Sequence, residues 1–120
     1  MTQEELGVLG EIMAQKHLIN NSYEILDLNW RFHRYELDIV ARKGNWILFV
    51  EVKTRENSYA GEPWEAVNRQ KQNRIILAAN EYLIIKDIAL DCRFDIISIV
   101  HNSKYSRLEH LEDAFYPLSR

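Results

Sequence analysis

Residues 36–53 read Glu-Leu-Asp-Ile-Val-Ala-Arg-Lys-Gly-Asn-Trp-Ile-Leu-Phe-Val-Glu-Val-Lys. Residues 46–52 form an apolar run rich in β-branched and aromatic side chains, which is typical of a strand covered on both faces. Gly44 and Asn45 separate this run from an earlier one, and Gly supplies the positive φ that a type II′ turn needs first. The stretch therefore predicts a β-hairpin with a two-residue turn.

The two-residue turn sets the register of the predicted hairpin. Counting outward from it puts Asp38 opposite Glu51 and Glu36 opposite Lys53. Because side chains alternate along a strand, all four charged side chains are expected on one face of the sheet. Two carboxylates opposite each other repel, so folding alone gives no reason to place Asp38 beside Glu51.

A divalent cation would explain the opposed carboxylates. Mg²⁺ and Mn²⁺ take oxygen ligands and fill their remaining positions with water. Lys53, two residues beyond Glu51, could then hold a water or neutralise charge on a phosphate. The alternative is a salt-bridged strand end in which Lys53 pairs with Glu36 and Glu51, and the residues alone leave both interpretations open.

Length and composition describe an ordinary globular domain. We expect the 120 residues, 47% of them hydrophobic and 28% charged, to form a single domain over residues 1–120. The single cysteine, Cys92, excludes an internal disulfide and fits a reducing compartment. Glu4 and Glu5 stand where a signal peptide carries positive charge, and no apolar run approaches membrane length. These features predict a cytoplasmic protein that does not contact a membrane.

The net charge of −3 limits the kind of nucleic-acid binding that can be expected. A sequence-independent DNA coat binds by neutralising phosphates and needs a cationic surface. A nuclease is compatible with an acidic balance, because a bound metal offsets its acidic centre and its cations can be local.

Residues 3–20 are predicted to form a helix, because a capping-box pattern, Thr-Gln-Glu-Glu, precedes a periodic apolar sequence. Gly7 and Gly10 inside this helix each cost up to ~1 kcal/mol relative to Ala, which favours a close approach to another element or a ligand. Glu11 follows directly, and its position alone favours a solvated helix carboxylate over a site residue. The expected apolar stripe consists of Leu6, Leu9, Ile12 and Met13.

The segments on either side of the hairpin predict one strand and one loop. Residues 23–30 alternate as a strand does, and residues 31–35 form a basic and aromatic connector into the hairpin. Such interleaving suits contact with a nucleic-acid backbone. Residues 54–63 are polar and contain Gly and Pro, which predicts a loop with freedom to move.

A second helix is predicted after the loop. Pro63 suits the first turn of a short helix over residues 63–66, and Asn68 is placed to cap a longer one. The buried stripe expected of the longer helix is Ile75, Ala78, Ala79, Tyr82 and Ile85. Its first turns carry three cations that oppose the helix dipole: Arg69, Lys71 and Arg74. A visiting phosphate would explain these cations, and a solvated face explains them equally well.

The remaining residues predict two more strands. Residues 93–101 are apolar on both alternating faces, which indicates a place inside the sheet. Residues 106–111 follow a polar turn and are expected to form an edge strand. The aromatic side chains of residues 113–117 are expected to pack back on the core.

Several short segments match a known family in order along the chain. They are Gly7-Val8-Leu9-Gly10-Glu11, Asn29-Trp30-Arg31, Glu36-Leu37-Asp38-Ile39-Val40, Phe49-Val50-Glu51-Val52-Lys53-Thr54-Arg55, Val67 with Lys71-Gln72, and Arg93-Phe94-Asp95. With a helix, three strands, a helix and a strand in that order, the chain resembles the PD-(D/E)xK nuclease superfamily. More specifically, it resembles the YraN family of small bacterial proteins, which are predicted relatives of archaeal Holliday-junction resolvases.

The resemblance implies a fold and a site. The fold is a restriction-endonuclease-like α/β fold with a three-layer core, in which helices flank a mixed sheet with a central hairpin. Asp38 and Glu51 would bind the divalent cation, Mg²⁺ or Mn²⁺, and Lys53 would assist the attacking water. Glu11 would be the helix carboxylate that completes the site, with Glu36 in support. A homodimer is implied because resolvases act as dimers on two-fold substrates, and no small-molecule cofactor is implied.

Tyr35 departs from the family pattern, which usually has Gly before the Glu-Leu-Asp segment. A bulky ring at this position would narrow the site or offer a stacking surface beside it.

Two functions compete. The leading hypothesis is a metal-dependent nuclease that hydrolyses phosphodiester bonds in DNA, including branched or otherwise structured DNA. The alternative is a nucleic-acid-binding or assembly module that keeps the fold without turnover, although such a module needs no carboxylate cluster. In both cases the cations that flank the site are candidates to bind DNA: Arg31, Arg34, Arg55, Arg69, Lys71 and Arg74.

Overall fold

The computed structural model describes residues 1–117 and contains a five-stranded mixed sheet and two long helices. The elements are α1 (Gln3–Asn20), β1 (Glu24–Phe32), β2 (Tyr35–Lys43), β3 (Trp46–Arg55), a 3₁₀ turn (Pro63–Ala66), α2 (Arg69–Ile85), β4 (Asp91–His101) and β5 (Ser106–Phe115). The strand order is β1-β2-β3-β4-β5, and β3 and β4 are parallel while the other neighbours are antiparallel. The predicted mixed α/β class is confirmed.

The two helices pack on opposite faces of the sheet, so the molecule has three layers. On one face, Ala14 and Leu18 of α1 share a core cluster with residues such as Val50. On the other face, Ala78 and Tyr82 of α2 share a second cluster with residues such as Phe49. Both clusters draw on alternating residues of β3, because successive side chains of a strand point to opposite faces.

The hairpin between β2 and β3 has the predicted turn. Lys43 pairs with Trp46, and Gly44 adopts a φ of 61°. The pairing continues to Ile39 and Val50. The predicted pairing of Glu36 with Lys53 is wrong, because the ladder between β2 and β3 ends at Ile39 and Val50, and beyond it the Val52 amide donates to the Asp38 side chain instead of to the β2 backbone.

β1 holds the start of β2 through a tight turn. Arg31 pairs with Glu36, and the turn itself consists of His33, which has a φ of 55°, and Arg34. The sequence predicted a connector over residues 31–35, but most of it extends β1 and β2. Ladder hydrogen bonds satisfy backbone groups that a loop would leave to water, which favours the longer strands.

α1 begins and ends as predicted, with Thr2 and Glu5 forming the capping box. Its buried stripe differs from the predicted one and consists of Leu6, Gly10, Ala14 and Leu18. Ile12 is exposed. A Cβ on Gly10 would lie 1.9 Å from the Thr54 side-chain oxygen, which confirms the predicted close approach at Gly10, but a Cβ on Gly7 would meet nothing within 4 Å, so the prediction is wrong for Gly7.

α2 is capped by Asn68, whose side-chain oxygen accepts from the Lys71 amide at 2.9 Å. Four of the five predicted stripe residues are buried: Ile75, Ala78, Ala79 and Tyr82. The fifth, Ile85, is 58% exposed at the end of the helix, where the sheet no longer covers it. Within residues 1–117, neither long helix meets the length and apolarity needed to cross a bilayer.

β4 and β5 are each longer than predicted. The β5 strand reaches Phe115, whose buried ring stacks on Phe94 at 5.2 Å, which confirms the packing expected of one terminal aromatic. Tyr116 is exposed, so the expectation is wrong for that residue. A register shift between Phe94 and Ile96 lets β5 continue past the predicted end at residue 111.

Candidate metal centre

Asp38 and Glu51 meet where the pairing of β2 with β3 ends. The Val52 amide donates to Asp38 Oδ2 at 2.9 Å, which holds that carboxyl group against β3. Glu51 is only 6% exposed, and its carboxyl group is close enough to that of Asp38 for the two to share a proton. The predicted convergence of these two side chains is therefore present in the structure.

Burial and mutual repulsion act together on this carboxyl pair. Burial, followed by the charge of Asp38, raises the pKa of Glu51 to about 8. Burial also raises the pKa of Asp38, although the Val52 amide opposes the rise. In the absence of a cation, the pair therefore holds a proton to higher pH than isolated carboxyl groups do.

Lys71, in the first turn of α2, is the cation nearest the pair. Its Nζ lies 3.3 Å from Glu51 Oε2, and about half of its side chain is exposed. The alternative interpretation of the sequence paired Lys53 with Glu51, and Lys71 was placed among the DNA-binding cations. One half-exposed ammonium lowers the pKa of Glu51 without overcoming its burial.

Glu11 approaches the pair from α1. Burial, followed by the charge of Asp38, raises its pKa, and the amide of Asn29 partly opposes this rise. Asn29 falls opposite Asp38 in the β1–β2 register and has a φ of 49°, so it is a site residue that sequence reasoning missed. Its place in the Asn29-Trp30-Arg31 family segment was the only available signal. The contact of Gly10 with Thr54 sets how closely α1 approaches β3.

Lys53 lies beyond the carboxyl pair on β3. The regular pairing of β3 with β4 continues to Arg55, so Lys53 alternates onto the same face as Glu51. Lys53 and Arg55 line a cavity of about 600 Å³ together with Glu11. From residue 51 to residue 55, β3 pairs with β4 and with no other strand of residues 1–117, which leaves one edge open to this cavity.

Glu36 is beside the site and is paired with a cation that sequence reasoning assigned to DNA. Arg31 lies 3.5 Å from its carboxylate. The charge of Glu36 contributes to the raised pKa values of Glu11 and Asp38. Glu36 therefore adds negative charge around the pair, as a supporting residue would.

Three more of the proposed DNA-binding cations lie outside the cavity that contains Glu11 and Lys53. Arg34 and Arg74 line a depression of about 540 Å³ with Tyr35, whose ring centroid lies 5.8 Å from the Arg34 guanidinium. Tyr35 thus supplies an aromatic surface among cations. Arg69 donates from Nη1 to Gln72 and to the backbone carbonyl of the exposed Tyr116, while its buried Nε has no hydrogen-bond partner among the described residues.

The chemistry of the carboxyl pair fits a hard divalent cation. Among the residues that the structure describes, no three His, Cys, Asp or Glu side chains are gathered closely enough to cage an ion. Mg²⁺ needs no such cage, because it retains waters and is held by one or two carboxylates together with substrate phosphates. Asp38 and Glu51 could hold Mg²⁺ or Mn²⁺ in this way, with Glu11 at the next position.

A second buried carboxylate, Asp95, lies on the α1 face and was not predicted as a centre. Arg93 donates to both of its oxygens at 2.9 and 2.8 Å, His110 contacts it at 2.8 Å, and the Asp113 amide donates at 3.0 Å. His110 in turn contacts His17 of α1 at 3.0 Å. The Arg93-Phe94-Asp95 segment of the family pattern marks this network, which is fully hydrogen-bonded and belongs to the core.

Comparison with known proteins identifies close relatives over nearly the whole chain. The model of Uncharacterised protein family UPF0102 matches residues 10–99. A UPF0102 protein of Flavobacterium psychrophilum is 42% identical over 112 residues, which are 93% of this chain and 94% of that protein. UPF0102 proteins of Parabacteroides distasonis and Chlorobium chlorochromatii are 40% and 42% identical and cover 95% and 93% of this chain and 94% and 92% of their own lengths.

Proposed function

We propose that this chain, which belongs to the uncharacterised protein family UPF0102, is a divalent-metal-dependent nuclease that hydrolyses phosphodiester bonds in DNA. The observation that carries the proposal is the buried contact between the Asp38 and Glu51 carboxyl groups. Such a contact opposes folding and suits a cation that binds oxygen.

Each residue of the site has a role in this proposal. Asp38 and Glu51 would hold Mg²⁺ or Mn²⁺. The ion would supply charge stabilisation at the scissile phosphate and lower the pKa of a water beside it. Lys53 would offset the negative charge that develops on the phosphate. Glu11 would accept a hydrogen bond from the attacking water and hold it in line.

Lys71 would have two partners in turn. In the cation-free protein it pairs with Glu51 at 3.3 Å and partly neutralises the site. Its half-exposed side chain can turn outward to a phosphate of the substrate when Glu51 is engaged elsewhere. Arg34 and Arg74, which line one depression, would position the DNA backbone on the same side as α2.

The proposal includes a restriction-endonuclease-like fold and kinship with PD-(D/E)xK nucleases. Two helices on opposite faces of a mixed sheet, with the carboxyl pair on a central hairpin, support this assignment. Fold alone does not establish an activity, so the nuclease assignment depends on the site.

The test is cleavage of supercoiled plasmid and of branched duplex DNA in Mg²⁺, in Mn²⁺ and in EDTA. We expect wild-type protein to cleave with either metal and not in EDTA, and Glu51→Gln to abolish cleavage because it removes a cation ligand. Glu112→Gln is the matched control, since Glu112 is an exposed carboxylate bound to Arg93 on the other face, and it should cleave normally.

Two outcomes would contradict the proposal. Equal cleavage by Glu51→Gln and wild type would mean that the carboxyl pair is not the centre. DNA binding by wild type without cleavage of any substrate in either metal would favour the non-catalytic binding module.

A further inference from the structure

A groove leads away from Glu11 and Lys53 towards the turn between β4 and β5. It consists of two neighbouring cavities, of about 600 and 590 Å³, that have wall residues in common, including Glu56 and Asn57. The first cavity contains Glu11 and Lys53, and the second reaches Tyr59. The groove therefore reaches Glu11 and Lys53 of the proposed site, while the Asp38 and Glu51 carboxyl groups lie next to it and not in its walls, and its other end is well outside the site.

The walls of the groove are held in place by hydrogen bonds. Asn102 donates from its side-chain amide to the Glu56 carbonyl at 2.8 Å, which ties the β4–β5 turn to the segment after β3. Its side-chain oxygen accepts from the amides of Lys104 and Tyr105 at 2.9 and 3.1 Å. The sequence predicted a loop with freedom to move over residues 54–63, whereas these contacts fix one end of it.

The other end of the same loop is fixed by an ion pair. Glu62 lies 2.8 Å from Arg107 of β5. With both ends anchored, the loop presents Tyr59 between them on a fixed base. The groove is thus formed before any ligand arrives, which reduces the ordering cost of binding.

Two tyrosines in the outer half of the groove are turned towards solvent. Tyr59 is 94% exposed and Tyr105 is 49% exposed. Both line the outer cavity. Aromatic rings presented in this way are the surfaces on which unpaired bases stack. Bases inside a duplex are already stacked on each other and offer no such face.

Three cations accompany the tyrosines along the groove. Lys53 and Arg55 line its inner half and Lys104 lines its outer half. Within residues 1–117, none of the three forms an ion pair. Cations free to bind phosphates, together with exposed rings, match the chemistry of single-stranded nucleic acid.

We propose that this groove binds a single-stranded segment of DNA, so that the nuclease acts on DNA in which a single-stranded tail or flap leaves the duplex at the Asp38–Glu51 site. This inference rests on the proposed function and adds the substrate class. Tyr59, Tyr105 and Lys104 are the residues that it newly assigns to the binding surface.

The test compares three labelled DNAs by fluorescence anisotropy, with Ca²⁺ in place of Mg²⁺ to suppress cleavage. The probes are a blunt duplex and the same duplex with an oligothymidylate tail at either the 5′ or the 3′ end. We expect wild type to bind at least one tailed duplex more tightly than the blunt one. Tyr59→Ala/Tyr105→Ala should weaken that tailed complex by about tenfold and leave the blunt complex unchanged.

The matched control is Trp46→Ala, because Trp46 is 45% exposed at the opposite end of β3 from Arg55. It should bind all three probes as wild type does, and thermal melting should show that every variant is folded. The proposal is overturned if wild type binds tailed and blunt duplexes equally, or if the tyrosine variant weakens both to the same extent.

The two proposals fail in distinguishable ways. Metal-dependent cleavage by wild type without a preference for tails would contradict the assignment of the groove and support the nuclease. A tail preference that depends on the tyrosines, without cleavage in any metal, would support the assignment of the groove and contradict the nuclease.

Discussion

Each face of the sheet carries buried carboxyl groups, and their pKa values are shifted in opposite directions on the two faces. Asp95 pairs in register with Val50, next to Glu51, but it faces α1 and is fully buried among donors. Burial alone would raise its pKa, yet hydrogen bonds from His110 and Arg93 hold it below its usual range. Glu51 faces α2, where burial and Asp38 raise its pKa to about 8.

The difference between Asp95 and the Asp38–Glu51 pair lies in the supply of donors, because both places are buried. Asp95 receives a bidentate guanidinium, a histidine and a backbone amide. The pair must share one backbone amide and one half-exposed ammonium between two carboxyl groups. A satisfied buried charge stabilises the fold, and an unsatisfied one favours a ligand that brings positive charge.

The largest effect is expected from Asp95→Asn. We expect this change to lower the free energy of unfolding by about 3–5 kcal/mol, because it leaves the Arg93 guanidinium without its buried counter-charge. Urea denaturation monitored by circular dichroism would measure it. The control is Glu112→Gln, which removes an exposed carboxylate 3.7 Å from the same guanidinium and should change stability by less than about 1 kcal/mol.

The same denaturation experiment separates the two faces. Asp38→Asn and Glu51→Gln should leave the stability of the metal-free protein unchanged or raise it, because each relieves repulsion within the pair. If Asp38→Asn lowered the free energy of unfolding as much as Asp95→Asn does, Asp38 would be a structural ion-pair partner. The comparison between the two faces would then be wrong.

Stability should also depend on pH with opposite signs on the two faces. The folded pKa of Glu51 is raised, so its favourable contribution is complete below the unfolded value of about 4.3 and is lost as pH rises through about 8. The folded pKa of Asp95 is lowered, so its contribution is present above the unfolded value of about 3.9 and is lost as pH falls through the folded value.

Denaturation of the metal-free protein across the pH range would measure both contributions. Glu51→Gln should flatten the decline between about pH 4 and pH 8 and leave the loss at lower pH as in wild type. If stability still declined between these pH values in Glu51→Gln as it does in wild type, another group would be the cause.

The smallest effect on stability is expected from Lys71→Met. Lys71 is half-exposed, so water screens its pairing with Glu51 and the loss of stability should stay below about 1 kcal/mol. DNA binding should nevertheless weaken for all sequences, and the salt dependence of log K should fall by about one unit of slope. Titrations in Ca²⁺ at several salt concentrations would measure this.

Lys16→Met is the control for Lys71→Met, since Lys16 is exposed on α1 and away from α2. It should bind DNA with the wild-type affinity and salt slope. Identical salt slopes of log K for Lys71→Met and wild type would show that the start of α2 is not part of the DNA-binding surface.

The sequence predicted the parts of the site that depend on local rules. A two-residue turn and the period of a strand were sufficient to bring Asp38 and Glu51 together, and the capping residue Asn68 located the start of α2. The same counting failed at Glu36, because the Asp38 side chain accepts from the Val52 amide and the ladder between β2 and β3 ends before Glu36. Local periodicity cannot tell which neighbour a strand end will follow.

The contacts that the sequence could not predict join distant parts of the chain. The pairing of Lys71 with Glu51 depends on how α2 sits on the sheet, and that of His17 with His110 joins residues 93 positions apart. The network around Asp95 also depends on the register shift between Phe94 and Ile96, which the sequence did not predict. Family segments marked Asn29 and Asp95 without indicating what they contact.

The most direct test of the account is thermal melting of the protein at pH 8 with increasing Mn²⁺. A cation that binds only the folded state stabilises it by about 2.7 kcal/mol at one hundred times its Kd. We predict a saturable rise in Tm for wild type and for Glu112→Gln, and no rise for Asp38→Asn. An equal rise for Asp38→Asn, or no rise for wild type, would contradict the assignment of Asp38 and Glu51 as the metal centre.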